Sequence, residues 1–227
     1  MIGRELNDLT HFQGARKLLV EELKSQGITD KKVLEAIENV PRHFFVSISY
    51  LNHAYKNRPL PIKAEQTISQ PYTVAFQTQL LNVKEGDKIL EIGTGSGYQA
   101  TILAYLGAEV YTIERQKKLF EETNELLNNE NFKSFFKKTL KIKTFFGDGH
   151  IGLPKYSPFD KIIITAATKE IPNELILQLN EGGIIVAPVG KTNSYQVMTK
   201  IIKLKKSIQK EEHGTFVFVP MIKGISD

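Results

Sequence analysis

Apolar residues recur every three or four positions in the first part of the chain, which is the spacing of helices that bury one face. The pattern predicts one helix over residues 10–26 and a second that begins after Thr29 and Asp30, both candidate N-caps, and ends at Pro41. Residues 51–66 show no clear period and are interpreted as a loop. A third helix is predicted to begin at Pro71, because the fixed φ of proline suits a first helical turn.

From residue 88 onward, short apolar runs alternate with helical patterns. The runs predict buried strands at residues 88–92, 110–113, 142–146, 162–164 and 184–186. Strands that alternate with helices form a parallel sheet covered on both faces. Residues 195–206 and 215–221 also have the composition of strands, but no helix separates them, so we expect an antiparallel pair at the sheet edge.

These elements predict an α/β fold with a Rossmann-like, doubly wound, mostly parallel sheet, an antiparallel C-terminal strand pair and an N-terminal helical extension. We assign residues 1–227 to a single domain, in which residues 1–66 form the helical extension and a loop. Residues 67–227 then form the ligand-binding α/β core with its C-terminal edge strands. We interpret the phenylalanine-rich stretch 128–140 as an extended helix end.

The composition narrows the classes of chemistry. Hydrophobic residues make up 41% of the chain and charged residues 24%, as in folded proteins. The chain has no cysteine, which excludes disulfides, zinc–thiolate sites and cysteine nucleophiles. The five histidines lack metal-ligand spacing, so we predict no metal site. No run of 18 apolar residues occurs and the N-terminal segment is charged, so we expect a cytoplasmic protein with neither a membrane helix nor a secretory signal.

The net charge of +5 is small, and part of the excess lies in lysines between positions 200 and 210. Such a run attracts nucleic acid in some proteins. More often, lysines on an edge strand keep that strand from pairing with other chains. We favour the edge strand and expect no nucleic-acid partner.

A glycine-rich turn, EIGTGSG at residues 91–97, follows the first predicted strand directly. The carboxyl end of a strand is where α/β sheets bind ligands, although a tight strand-to-helix turn also uses glycine. The dinucleotide fingerprint Gly-x-Gly-x-x-Gly requires a glycine where this chain has Tyr98. The carboxylate of Glu91 repels phosphates and attracts a cation, so the turn suits a ligand without phosphates.

Acidic residues end the next two predicted strands. Glu114 lies 21 residues after Gly93, where a carboxylate can accept hydrogen bonds from both ribose hydroxyls. Asp148, between two glycines, is a candidate acceptor for an adenine amino group, and each acid also fits a plain strand end or turn. Together they predict one site for a positively charged adenosine derivative, S-adenosylmethionine. The predicted cofactor-binding residues are Glu91, Gly93, Thr94, Gly95, Ser96, Gly97, Glu114, Asp148 and Gly149.

The stretch EIGTGSGYQ at residues 91–99 resembles the first motif of class I methyltransferases, in the form found in the protein-L-isoaspartate O-methyltransferase family. Matches in the same order are TISQP at 67–71, GDG at 147–149, TAA at 165–167, EGG at 181–183 and FVPM at 218–221. The TISQP segment is far more specific than the glycine motif. The chain departs from the family at residues 63–66, where KAEQ replaces glycines that the family often has.

The resemblance implies methyl transfer from S-adenosylmethionine to the free α-carboxylate of L-isoaspartyl residues in damaged peptides and proteins. The methyl ester then cyclises to a succinimide without the enzyme, and hydrolysis returns some normal aspartate. We expect a monomeric protein-repair enzyme. The alternatives are a class I methyltransferase for RNA or a small molecule, and a non-catalytic S-adenosylmethionine-binding subunit.

The chemistry places few demands on the protein. An α-carboxyl group with a pKa of about 3.5 is already ionised at neutral pH, so no general base is needed and the rate should be flat from about pH 6 to 8. Catalysis then consists of aligning the reactants. Ser69 is the candidate catalytic residue, because its hydroxyl can hold one carboxylate oxygen while the other attacks. The same hydroxyl also fits a helix N-cap before Pro71.

Overall fold

The computed structural model describes residues 6–192 and 194–226. Its N-terminal part is helical, with α1 at Thr10–Ser25 and α2 at Lys31–Asn39, followed by 3-10 helices at Arg42–Phe45 and Ile48–His53. The side chain of Asp30 caps α2 by accepting hydrogen bonds from the first backbone N–H groups of that helix, as predicted. None of the helices among the described residues is long and apolar enough to span a membrane.

A short hairpin joins this part to the main sheet. Its strands are β1, Leu60–Pro61, and β2, Thr67–Ile68, and α3 follows at Pro71–Leu81. Only β1 lies inside the stretch 51–66 that was predicted to be a loop, and β2 follows directly after it, so this region holds more local structure than its sequence pattern indicated. Two-residue strands are too short to show an apolar alternation.

Strands and helices then alternate as the sequence predicted. The strands of the main sheet are β3 Lys88–Ile92, β4 Glu109–Glu114, β5 Lys141–Phe146, β6 Phe159–Ile164, β7 Leu179–Val189, β8 Gln196–Lys203 and β9 Ile208–Phe216. The helices between them are α4 Tyr98–Tyr105, α5 Lys117–Asn128, α6 Glu130–Phe135 and α7 Asn173–Leu177, with a 3-10 helix at Pro154–Tyr156.

The strand order of the main sheet is β5-β4-β3-β6-β7-β8-β9. Strands β3 to β7 are parallel to their neighbours among themselves, whereas β8 and β9 are antiparallel. The predicted Rossmann-like fold is thus confirmed. The chain moves outward from β3 to β4 on one side and returns to β6 on the other, so the carboxyl end of β3 is the switch point where such sheets bind ligands.

Two apolar layers sandwich the sheet. Ile163 of β6 packs with α3 and α4 on one face, while Ile162 and Ile164 pack with α7 on the other. This alternation explains the continuous isoleucine run, because a strand buried on both faces has no polar side. A third apolar cluster joins α1 and α2 to α4, α5 and α6.

The C-terminal strand pair is antiparallel, but its second strand lies at Ile208–Phe216 rather than at residues 215–221. An edge strand with mostly exposed side chains carries no apolar signal, so the sequence pattern missed it. The apolar run after Phe216 leaves the sheet instead, and the backbone of Val219 and Met221 bonds to Ala167.

Two further expectations are corrected. Residues 128–140 do not extend α5, because Asn129 ends it and caps the separate helix α6, which packs Phe132 into the core. The lysine run does not mark one edge strand. Lys200 and Lys203 lie on β8, which pairs with β7 and β9. Of the two strands β8 and β9, only β9, which carries Lys210, lies at an edge of the sheet.

Candidate active site

The glycine turn after β3 requires glycine at two of its positions. Gly93 has φ 95°, and a Cβ there would lie 2.6 Å from Thr165 Oγ1. Gly97 has φ 84°, and a Cβ there would lie 2.9 Å from Thr123 Cγ2. A side chain at either position would combine an unfavourable backbone conformation with a clash, so the turn brings β6 and α5 close to the backbone.

Hydrogen bonds from β4 hold the turn in place. The Gly93 N–H donates to the Ile113 carbonyl at 2.9 Å, and the Gly95 N–H donates to Glu114 Oε2 at 3.0 Å. The other oxygen of Glu114 accepts from the Gln116 N–H at 2.9 Å. Each carboxylate oxygen still has a free lone pair for a ligand. Glu114 therefore both shapes the turn and keeps the capacity to accept ribose hydroxyls.

Glu91 is completely buried beneath the turn, and neither of its carboxylate oxygens has a hydrogen-bond partner among the described residues. Burial raises the pKa of Glu91 to about 8; the nearby Thr112 hydroxyl acts in the opposite direction, and the charge of Glu114 adds to the rise. A buried, unpartnered carboxyl that lines a cavity is suited to a cationic ligand. The sequence did not predict that any site residue would titrate near neutral pH.

Asp148 is placed differently from the other predicted cofactor residues. Its carboxylate accepts hydrogen bonds from the backbone N–H groups of His150, at 2.9 Å, and Gly224, at 2.7 Å. Partial burial acts to raise the pKa of Asp148, but these backbone hydrogen bonds lower it. The residue lines a neighbouring depression with His150 rather than the cavity at the glycine turn. Its contact with adenine stays a prediction.

A cavity at the carboxyl ends of β3, β4 and β6 collects the remaining predicted residues. Its lining includes Ser69 and the predicted cofactor residues Glu91, Gly93, Thr94, Gly95, Ser96, Glu114 and Gly149. Gly97 lies just behind the lining, at the start of α4. We call this space the cofactor cavity.

A second space, an open groove between α3 and the C-terminal tail, adjoins the cofactor cavity. Four residues line both spaces, namely Thr67, Ser69, Thr165 and Val219. Ser69 is half-buried. The N-cap of α3 is Gln70, and no side chain caps that helix, so the structure does not use the Ser69 hydroxyl as an N-cap.

The hairpin loop at residues 62–66, here called the strap, covers the glycine turn. Ile62 Cδ1 lies 3.8 Å from the position of a Cβ on Gly95, and Lys63 forms an ion pair with Glu122 of α5. Ala64 and Glu65 both have φ 55°, a left-handed conformation that glycine adopts more easily. The strap therefore has the backbone shape that glycines favour, although the chain has none there.

A model of the protein-L-isoaspartate(D-aspartate) O-methyltransferase family matches residues 14–226. The chain belongs to this family. The match includes the glycine turn, the strap, Ser69 and the C-terminal segment that lines the groove.

Several bacterial proteins named protein-L-isoaspartate O-methyltransferase are similar over almost the whole chain. That of Flavobacterium psychrophilum is 50% identical over 218 residues, which cover 96% of this chain and 98% of the relative. That of Christiangramia forsetii is 48% identical with the same coverage of both chains. That of Dictyoglomus turgidum is 47% identical over 214 residues, 94% of each chain.

Solved structures of the same description share the fold. A Plasmodium falciparum protein described as a protein-L-isoaspartate O-methyltransferase, in complex with S-adenosyl-L-homocysteine, superposes with a TM-score of 0.78 at 26% identity, over 92% of this chain and 98% of its own. A second protein-L-isoaspartate O-methyltransferase has the same TM-score and identity, with 90% of this chain matching 65% of that longer chain.

In this member of the isoaspartate methyltransferase family, two parts of the site lie outside the catalytic and cofactor-binding residues predicted from the sequence. Thr165 lines both spaces, and its hydroxyl donates to the carbonyls of Ile92 and Gly93 at 2.9 and 2.8 Å. The tail at residues 217–222 forms one wall of both spaces, with Val219 shared between them. The TAA and FVPM matches were the signals that could have found them.

Proposed function

We propose that this protein transfers the methyl group of S-adenosylmethionine to the free α-carboxylate of L-isoaspartyl residues in damaged peptides and proteins. The observation that carries the proposal is the position of Ser69 on the wall shared by the cofactor cavity and the groove. A group at that wall can touch a substrate in the groove and a methyl donor in the cavity at once. Membership of the family supports the substrate.

The cofactor cavity suits a cationic adenosine ligand. Glu91 supplies an unpartnered buried carboxyl for positive charge, and Glu114 retains acceptor capacity for ribose hydroxyls. Gly93 to Gly97 keep the backbone close to the ligand. When bound, S-adenosylmethionine supplies a methyl group that its sulfonium already activates. These residues are the cofactor-binding set that we propose, together with Asp148, which lies outside the lining of the cofactor cavity.

The residues around Ser69 need only orient the substrate. The Ser69 hydroxyl donates a hydrogen bond to one oxygen of the substrate carboxylate, while the other oxygen faces the cofactor cavity. The new carbon–oxygen bond forms as the carbon–sulfur bond breaks, and no proton has to be removed first, because the carboxyl group is already ionised at neutral pH. Positioning of this kind is sufficient for large rate gains.

The groove favours a polypeptide over a nucleic acid. Among the described residues that line it, none is lysine or arginine, the side chains that bind phosphate backbones. We propose that the enzyme acts as a monomer in the cytoplasm. Size-exclusion chromatography with light scattering and cell fractionation test these two points.

The decisive assay compares an isoaspartyl peptide with its normal aspartyl twin, using cofactor labelled in the methyl group. We expect label in the isoaspartyl peptide alone, since only that peptide presents a free α-carboxylate at this residue. Equal labelling of both peptides would contradict the assignment. Cofactor binding without transfer to either peptide would identify a non-catalytic binding protein.

A further inference from the structure

A cluster of apolar side chains lines the groove on the side away from the cofactor cavity. It consists of Tyr72 and Phe76 on α3, Tyr195 before β8, Phe216 at the end of β9, and Val217; we call it the aromatic cluster. The ring centroids of Phe76 and Phe216 are 5.2 Å apart, and those of Tyr72 and Phe76 are 5.7 Å apart. These distances are those of rings in contact.

The side chains of the aromatic cluster are partly or largely exposed to solvent. Tyr195 is 72% exposed and Val217 is 73% exposed. Tyr72, Phe76 and Phe216 are half-buried, so each still presents part of its ring to the groove. Single exposed apolar residues are ordinary, but a contiguous group in a concave surface marks a binding site.

The groove contains little charge. Among its described lining residues, the titratable side chains are those of Tyr72, Tyr195 and His213, and His213 Nε2 lies 3.4 Å from Glu211 Oε2. The lining includes no aspartate, glutamate, lysine or arginine, in a chain of which 24% is charged. A charged partner would lose hydration there without gaining an ionic contact, so the groove favours an apolar one.

Because Ser69 lines the groove, the molecule that occupies the groove is the substrate itself. Successive residues of an extended chain are about 3.3 Å apart, so a substrate whose carboxylate is held at Ser69 has its neighbouring residues in the groove. The cluster is therefore reached by the same molecule that is methylated. A separate partner protein on this surface would block entry of the substrate.

We infer that the aromatic cluster is a specificity subsite for an apolar side chain, aromatic by preference, one or two residues from the isoaspartyl residue. The inference rests on the proposed function and adds the class of sequence that the enzyme favours. Damaged segments that were part of an apolar core before unfolding would then be better substrates than charged surface segments.

The test uses isoaspartyl peptides that differ only at the residues flanking the isoaspartyl residue. We expect kcat/KM to be roughly tenfold higher with tyrosine or phenylalanine than with glycine or aspartate, the scale of discrimination that an apolar pocket achieves. Tyr195→Ala should reduce the preference for aromatic flanks. Val217→Lys should reduce it too and raise kcat/KM for aspartate flanks, a change of preference that a loss of stability would not produce.

Leu177→Lys is the matched control, since Leu177 is 77% exposed and lies on α7, outside both spaces. It should keep the preference of the wild type. Equal kcat/KM for all flanks, with the isoaspartyl peptide still preferred over its aspartyl twin, would overturn the inference and leave the proposed function standing. Absence of methylation of every isoaspartyl peptide would overturn the proposed function, and this inference with it.

Discussion

The cofactor cavity meets the groove at Ser69, but the cavity and the aromatic cluster of the groove are built in different ways. The cavity is made of strand ends and backbone hydrogen bonds, and its acids Glu91 and Glu114 are 0% and 5% exposed. The cluster is made of side chains from a helix, an edge strand and a tail, and some are more than 70% exposed. Buried acids held close to the backbone suit one small cofactor, whereas exposed apolar side chains suit contact with a polypeptide.

The largest expected effect concerns Glu91, the buried carboxyl that lines the cofactor cavity. Burial raises the pKa of Glu91 to about 8, against 4.5 for an ordinary glutamate. At pH values between about 4.5 and about 8, the Glu91 carboxyl is ionised in the unfolded chain but still protonated in the folded protein. The folded state is therefore destabilised as the pH rises through this range. Glu91→Gln removes this penalty and should raise the free energy of unfolding of the ligand-free protein at pH 8.5 by up to about 5 kcal/mol.

Urea unfolding at pH 5 and pH 8.5 measures this difference, which should be small at pH 5. The exposed Glu125→Gln serves as the control and should show no such pH dependence. The same carboxyl should make S-adenosylmethionine affinity rise between pH 6.5 and 8.5, while kcat at saturating cofactor stays flat. An unchanged difference in stability between wild type and Glu91→Gln at the two pH values would show that Glu91 is not a strained site acid.

Ser69 is where the two regions act together, and its loss should affect only the chemical step. Ser69→Ala should lower kcat by roughly 10²-fold, the lower end of the effect of losing one positioned donor, because a carboxylate loses charge as it attacks. Cofactor affinity by calorimetry should be nearly unchanged. Ser207→Ala, at an exposed serine in the β8–β9 turn, is the control. A fully active Ser69→Ala enzyme would remove Ser69 from the mechanism.

Substitutions of Glu114 and Asp148 test which acids contact the cofactor. Glu114→Ala should weaken S-adenosylhomocysteine binding by about 1.5–3 kcal/mol, and it should also lower stability, because the Gly95 and Gln116 N–H groups lose their acceptor. Asp148→Ala should weaken binding less, since Asp148 lies outside the cavity lining. Isothermal titration checks both. Unchanged affinity in Asp148→Ala would make Asp148 a turn residue that holds His150 and Gly224.

The smallest effect concerns the strap that covers the glycine turn. Ala64 has φ 55°, so Ala64→Gly should relieve strain and stabilise the protein by about 0.5–1 kcal/mol after the entropy cost of glycine. Ala15→Gly, within α1, is the control with the opposite sign, because glycine in a helix destabilises. Thermal unfolding of both variants gives the comparison. A lower melting temperature for Ala64→Gly would show that the strap is not strained.

The elements that could be predicted are those with a clear pattern of apolar residues along the chain. Strand β6 was located from the apolar run Ile162 to Ile164, because burial on both faces leaves no polar position in that run. Strand β9 was misplaced, since an edge strand with exposed faces has no such signal. The apolar tail residues after Phe216 resemble a strand in composition but line the cofactor cavity and the groove instead.

The amino-acid order was sufficient for the sheet, the glycine turn and the acids near the carboxyl ends of β3 and β4, because each depends on residues close in sequence and on the rule that parallel strands end at one edge. Three features depended on contacts between distant segments. The pKa of Glu91 reflects how completely other elements bury it. The shared wall at Ser69 and the aromatic cluster need α3 to lie against the tail of β9, more than 130 residues later in the chain. Such burial and such contacts between distant segments form only when the chain has folded, so no local sequence pattern predicts them.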